Sequence, residues 1–417
     1  MIGPPTWPLK RLLSYSESWN LGIQHEFAGK YTLEVRYVGS KGIHLPVQTR
    51  LNRQSLTTST LFLPTFITPP TQAQLNALTA TYSTIAAGSS YVPAYAAAGF
   101  NSASVVAFEP WGQSIYHGLS TQLDRRFNNG MQFRLAWTWS QLRDNSTADV
   151  FSTVLTPRRP QDFQCWKCDM STSALDHRHR VTAQFIYELP FAKHSDNAIL
   201  KYAIGGWTMT PIYTYQSPEY ATVENNIDTN GNGDAAGDRA IFNPAGINGT
   251  GSGVISLCNG SLPAGTVCGS AASRPYLVAY EATNPNAQYI LAATFAQSNN
   301  PRNTLATRRI DNFDITVSKK FKVREGMFFE FQAQAYNMFN HPQYVTGSVD
   351  NIGSIGYTAS GVTSFLVPGK LVTPSGGNNI VPTATDVANG VNAKFDQPNI
   401  TFSSSPRTMQ LVLKFHF

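Results

Sequence analysis

Apolar and polar side chains alternate through much of this chain. Near its end Met409, Leu411, Leu413, Phe415 and Phe417 hold one parity, and Gln410, Lys414 and His416 hold the other, with Val412 the apolar exception. Successive side chains of a strand point to opposite faces, so the run predicts a two-faced strand. Tyr31, Leu33, Val35 and Tyr37 alternate in the same way with Thr32, Glu34 and Arg36. Met131, Phe133, Leu135, Trp137 and Trp139 do so over five positions. Trp19, Leu21, Ile23 and Phe27 continue the series, as do Val181, Phe185, Tyr187 and Leu189, then Phe313, Ile315, Val317 and Phe321, then Met327, Phe329 and Phe331. In every run the apolar face carries the odd numbers, and period two dominates wherever the chain is regular.

The connections alternate as well. Ala28–Lys30, Asn128–Gly130 and Lys322–Gly326 are short and Ala192–Asn197 is slightly longer, while 43–113, 142–176, 217–303 and 341–405 are long. A single alternating strand also fits a half-buried soluble sheet, but four loops of this length argue against a soluble sandwich. Short turns at one end and long loops at the other predict an all-β, antiparallel outer-membrane β-barrel with periplasmic turns and extracellular loops. About nine strands follow from Ser16. Only 13% of the 417 residues are charged and 12% are aromatic, against about 25% charged in ordinary soluble domains. No apolar run approaches the roughly 20 residues of a membrane helix. Complete bacterial barrels have an even strand number, and residues 1–15 carry no charged-then-apolar export signal. The expectation is therefore an irregular, truncated start over 1–15 and the C-terminal part of a larger barrel over 16–417.

Several blocks resemble one family. Ser16–Phe27 followed by Val35–Gly42, Asp176–Arg180 running into Tyr187–Phe191, Arg302–Thr304 with Asp311–Asp314, Tyr336–Pro342, and the closing strand after Ser405–Arg407 are similar, in order, to the Oar-like TonB-dependent receptors. The resemblance implies a 22-stranded barrel with an N-terminal plug, energised by the periplasmic TonB protein. Plug, TonB-contacting segment and earlier strands have no counterpart in these residues, so TonB would be reached only through a region outside them. It also implies that Phe415 and Phe417 belong to a signal read by the barrel assembly machinery.

Asp228, Asn230, Asn232 and Asp234 alternate, with Gly233 at the sixth position and Asp238 beyond. Oxygen-bearing side chains at that spacing suit a Ca²⁺ loop. Arg239 stands where a bidentate Glu is usual, and an Asn/Gly turn explains the same residues without a cation. No other cofactor is indicated. Cys165 and Cys168 form a CxxC pair, and Cys258 and Cys268 lie in another loop. A CxxC can be a redox dithiol or half a zinc site; an oxidising compartment favours two local disulfides, 165–168 and 258–268. His177 and His179 have a spacing that can clamp a metal, or they sit with Arg178 and Arg180 at an interfacial rim. No GxSxG elbow, HExxH helix or phosphate-binding GxxxxGK[ST] loop occurs, and no enzyme activity is expected.

The odd face is expected to meet outer-membrane lipid, with Glu34, Arg36, Arg134, Gln184, Glu330, Gln332 and Gln334 facing the lumen. Gln72–Leu78 reads as a short helix in the first long loop, and Trp207 as a mid-strand girdle aromatic beside Tyr213, Tyr215 and Tyr220. The net charge of +6 is dispersed, which excludes a nucleic-acid surface. Two functions remain open: a receptor whose loops capture an extracellular ligand for energised uptake, and a small autonomous porin or surface adhesin built from the same strands without a plug.

Overall fold

The computed structural model describes residues 12–147, 155–192, 196–260, 262–344, 352, 395–397 and 405–417. Nine long strands form one antiparallel sheet in sequence order: β1 (Tyr15–Phe27), β2 (Tyr31–Arg50), β3 (Val106–Asn128), β4 (Met131–Asp144), β5 (His179–Glu188), β6 (Trp207–Gln216), β7 (Ile310–Arg324), β8 (Met327–Tyr336) and β9 (Thr408–His416). Tight turns at one end use left-handed residues. Asn129 and Gly130 both have positive φ, as do Ala28 and Gly29, which matches hairpin turns to the twist of the strands they join.

Register carries one parity across the whole sheet. Ile23 opposes Val35, Leu33 opposes Leu123, Leu123 opposes Leu135, and Leu135 opposes Ala183. Val181 opposes Tyr215, Tyr213 opposes Phe313, Val317 opposes Ala333, and Phe331 opposes Leu413. Odd meets odd through the regular stretches of these ladders, the exceptions being register shifts near strand ends at Leu45, Asn128 and Arg324, so the apolar residues of nine strands merge into one face. Its members are uncovered: Leu21 is 68% exposed and Leu411 74% on the edge strands, and Trp137 40% and Phe329 38% within the sheet. Soluble proteins do not leave a continuous apolar sheet face uncovered.

Aromatic rings bracket this face. Near the tight turns Phe27 stacks on Tyr31, Tyr31 meets Phe133, and Phe133 meets Phe185; further along, Trp207 meets Phe331 and Phe329 meets Phe415. A second row contains Tyr37 against His117 and Trp137 against His179. Tyr31 and Tyr37 are six residues apart on β2, about 20 Å at strand rise, close to the roughly 25 Å apolar band of a membrane barrel.

Three elements depart from the sequence reading. β2 continues past residue 43 to Arg50 and β3 begins at Val106, so the first long loop is shorter than its alternation suggests; the ladder survives there through register shifts around Leu45 and a positive φ at His44. Trp207 opens β6 at the tight-turn end instead of lying mid-strand. The connection before it is also longer than Ala192–Asn197, because a helix, α1 (Ala198–Ala203), intervenes. Most of the 341–405 segment lies outside the described residues.

The hydrophobic core belongs to the long loops. Leu63, Ile85, Leu277, Tyr280 and Phe295 form one cluster, and Leu155, Val223, Tyr289, Leu291 and Leu305 another. Thr65–Phe66 of the first long loop pairs in parallel with Leu277–Ala282 of the third. Leu56 N–H donates to Asn230 O and Leu63 N–H to Phe295 O, which ties these loops into one cap. Within the first loop, a helix over Gln72–Asn76 is closed by a reciprocal Thr71–Gln74 capping box.

Candidate functional site at the loop-bearing rim

Buried arginines fasten the cap to the sheet. Arg159 grips Asp234 with two nitrogens, Nη2 to Oδ1 at 2.7 Å and Nε to Oδ2, and its Nη1 donates to Gln48 Oε1 of β2 at 2.8 Å. Arg50, at the end of β2, lies 3.4 Å from the same carboxylate and donates to Gly233 O. Arg302 donates to Asp144 Oδ1 at 2.9 Å, to Thr147 Oγ1 at 3.0 Å and to Asp169 O at 3.1 Å. Arg239 pairs with Asp169. Arg159, Arg239 and Arg302 are all buried, and charges removed from water persist only when paired and hydrogen-bonded. Sequence reading singled out Asp234 of this frame and missed Asp144, Asp169, Arg159 and Arg50 altogether. Their partners lie so far away along the chain that no local pattern marks them.

The Asp228–Asp238 loop is built on this frame. Asp228 accepts from the backbone N–H groups of Gly231, Asn232 and Gly233, Asn230 Oδ1 from Asn232, and Asn232 Oδ1 from Asp234. Gly231 and Gly233 have positive φ, which turns successive N–H groups inward towards these oxygens. Asp234 has both oxygens on Arg159. Among the described residues no three His, Cys, Asp or Glu side chains are grouped as a metal site requires. Asp238 accepts from Thr229 N–H at 2.7 Å through one oxygen, while its other oxygen is buried without a hydrogen-bond partner. Burial, reinforced by the nearby Asp228 and Asp234 carboxylates, raises its pKa well above the usual range.

Cys165 is bonded to Cys168 and Cys258 to Cys268, with Cα separations of 5.4 and 5.9 Å. The first bridge closes a turn beside Asp169, and the second ties the Val254–Cys258 strand to the segment before Leu277. His177 and His179 turn to different partners. His177 Nδ1 lies 3.3 Å from Ser217 O and its Nε2 3.7 Å from Glu219, whereas His179 stacks on Trp137, whose indole N–H donates to it at 3.3 Å.

The polar face carries its own ladder. Arg134 pairs with Asp124 at 2.6 Å, Gln122 donates to Asp124, Gln332 donates to Glu330, and Gln334 donates to Gln332. At the loop end of β6 to β9 this face opens into a cavity of about 670 Å³. Its walls include Arg308, Asn312, Asp314, Tyr336, Asn337 and Gln343. Asp314 is held by N–H donors from Asn312 and Asn337, at 3.0 and 2.8 Å. Arg308 pairs with Asp396 at 3.0 Å, which opposes the upward pull of burial on that carboxyl's pKa. Its volume falls within the range of small-molecule pockets.

Residues 5–364 match the family model described as outer membrane beta barrel domain. The chain belongs to that family. Its odd, apolar face is accordingly the lipid face of an outer-membrane barrel domain, its even face is the lumen face, and the arginine-framed cap stands on the extracellular rim. No curated protein matches the chain. Among solved structures it is similar to the outer membrane transporter YddB from Escherichia coli, at 9% identity and a TM-score of 0.37 over 97% of this chain and 33% of that one. It is similar to the ferric-catecholate import receptor Fiu from K12 E. coli at 8% identity and 0.36, over 97% and 28%. It also matches the ferripyoverdine receptor of the outer membrane of Pseudomonas aeruginosa at 8% and 0.33, over 82% and 25%. The chain thus spans a third or less of the length of these proteins.

Proposed function

We propose that this outer-membrane barrel domain is the loop-bearing part of a TonB-dependent receptor of the Oar-like type, capturing a ligand at its extracellular rim for energised uptake by the longer protein. The observation that carries the reading is the 670 Å³ cavity on the lumen face beneath the cap, with Arg308, Asn312 and Asp314 on its walls. A surface adhesin has no use for a pocket opening inward, whereas an uptake receptor needs a site continuous between loops and lumen. The sheet edges support the same reading. Among the described residues no strand pairs with the outer edge of β1 or β9, and unpaired backbone groups facing hydrocarbon cost several kcal/mol each, so further strands would close the wall.

The test has two arms. Molecules retained by the purified parent protein are identified by mass spectrometry, and their accumulation is followed in cells with and without TonB. Retention lowered by Arg308→Ala and Asp314→Ala, with accumulation lost without TonB, is expected. Constitutive ion conductance in planar bilayers, with accumulation independent of TonB, would replace the receptor by a porin.

A further inference from the structure

The connection between β5 and β6 is unlike the other tight-turn connections. Its helix α1 leaves large apolar side chains uncovered: Ile199 is 76% exposed, Tyr202 65% and Ile204 49%, with Phe191 at 61% just before it. A six-residue helix is too short to hold itself together in water. Asn197 caps its start by accepting from Ile199 and Leu200 N–H.

Its other end is clamped to the sheet. Lys319 Nζ donates to Tyr202 O and Gly205 O, and Trp207 Nε1–H donates to Ala203 O at 3.0 Å. Gly205 is required at this junction, because a Cβ there would come within 2.7 Å of Lys201 O and 2.8 Å of Ala192 O. Lys319 and Trp207 oppose one another across the β6–β7 ladder, both on the odd face. The ammonium also lies 5.4 Å from the Trp207 ring and 5.3 Å from that of Phe321. The helix therefore folds back over the lipid face at the periplasmic rim, and not into the lumen. A cation on that face finds its counter-charge in the carbonyls at the helix C-terminus, where the macrodipole is negative.

We infer that α1, with Ile204 after it and Phe191 beside it, is an interfacial anchor whose exposed helix face lies in the periplasmic leaflet of the outer membrane, at the boundary of headgroups and acyl chains. The apolar surface of α1 runs on from the lipid-facing band at Trp207, Phe321 and Phe331, and Lys201 at its flank suits the headgroup layer. Lys319 is the positioning residue, because it ties the helix to the wall and removes its own charge from hydrocarbon.

All four cysteines of the chain are disulfide-bonded, so a single added cysteine takes a nitroxide label selectively. Labels at Ile199→Cys and Tyr202→Cys are compared in isolated outer membranes with Asp196→Cys, before the helix, and with Leu411→Cys on the lipid face. Oxygen should outcompete a water-soluble nickel relaxant at 199 and 202, as at 411, with the reverse at 196. Lys319→Met should shift the 199 label towards water while heat-modifiable mobility shows the barrel still folded; Lys319→Arg should keep it in lipid. Nickel-dominated relaxation at 199 and 202 would overturn the anchor. So would shielding from both relaxants, which would mean that a protein covers the helix.

Discussion

Placing an arginine at Leu135 tests which face of the sheet meets lipid. Leu135 lies four residues above Met131 on β4, about 13 Å from the tight-turn end and near the middle of the apolar band. It is flanked in register by Leu123 and Ala183, neither of which can partner a guanidinium. A lipid-facing arginine near the midplane costs about 2–4 kcal/mol, equivalent to a loss of roughly 30- to 900-fold in the folded-to-unfolded ratio. The even face supplies an internal control, since Arg134 already sits one residue away, paired with Asp124. Ala136→Arg lies at the same depth between Gln122 and Thr182 and should cost less than about 1 kcal/mol, as should Gln132→Arg nearer the periplasmic rim. The assay is the fraction of heat-modifiable barrel in outer-membrane preparations, followed by urea titration of the folded fraction. Equal losses for Leu135→Arg and Ala136→Arg would refute the parity assignment.

Breaking the buried Arg159–Asp234 pair by Arg159→Met should loosen the cap by less than the roughly 3–5 kcal/mol of a fully stranded carboxylate, because Arg50 remains 3.4 Å from Asp234; limited proteolysis within the loops measures this, and Arg159→Met with Asp234→Leu should recover part of it. Asp238, whose carboxyl pKa is raised by burial, holds its proton in the folded cap at pH values where the unfolded chain has lost it. Its contribution therefore favours the cap below the raised pKa and is lost as pH rises through it; Asp238→Asn should flatten that part of a pH–stability profile, and a chelator should leave cap melting unchanged, a fall in melting temperature being the sign of bound calcium. Deleting Phe417, which continues the ring stack beyond Phe415, should lower the outer-membrane level of the parent with synthesis unchanged, while Lys414→Gln on the lumen face should do little.

Strands and tight turns were legible because their signals are local. Alternation marked the runs at Tyr31–Tyr37 and Met131–Trp139, and Asn129-Gly130 marked its hairpin. Alternation fails where geometry is irregular, so the extension of β2 through His44, Leu45 and Pro46 was invisible although its pairing with β3 continues to Arg50. Taking Ala192–Asn197 as the whole connection missed α1, which is held by Lys319, more than a hundred residues away, and not by its own periodicity. Within the cap only the short helix of the first loop was legible: the pairing of Thr65–Phe66 with Tyr280–Glu281 joins distant loops through two residues. The oxygen-rich loop was visible as a motif, but its chemistry depends on Arg159, 75 residues from Asp234, and spacing within the motif cannot reveal a partner outside it.

The central claim is that nine strands cross the outer membrane with the cap outside and the tight turns within the periplasm. It is tested most directly by labelling single cysteines in cells with a membrane-impermeant maleimide. Leu61→Cys lies in the cap and is partly exposed, and Glu325→Cys lies in the exposed turn between β7 and β8. Leu61→Cys should label in intact cells, and Glu325→Cys only after the outer membrane is permeabilised. Labelling of Glu325→Cys in intact cells, with Leu61→Cys protected until permeabilisation, would contradict it.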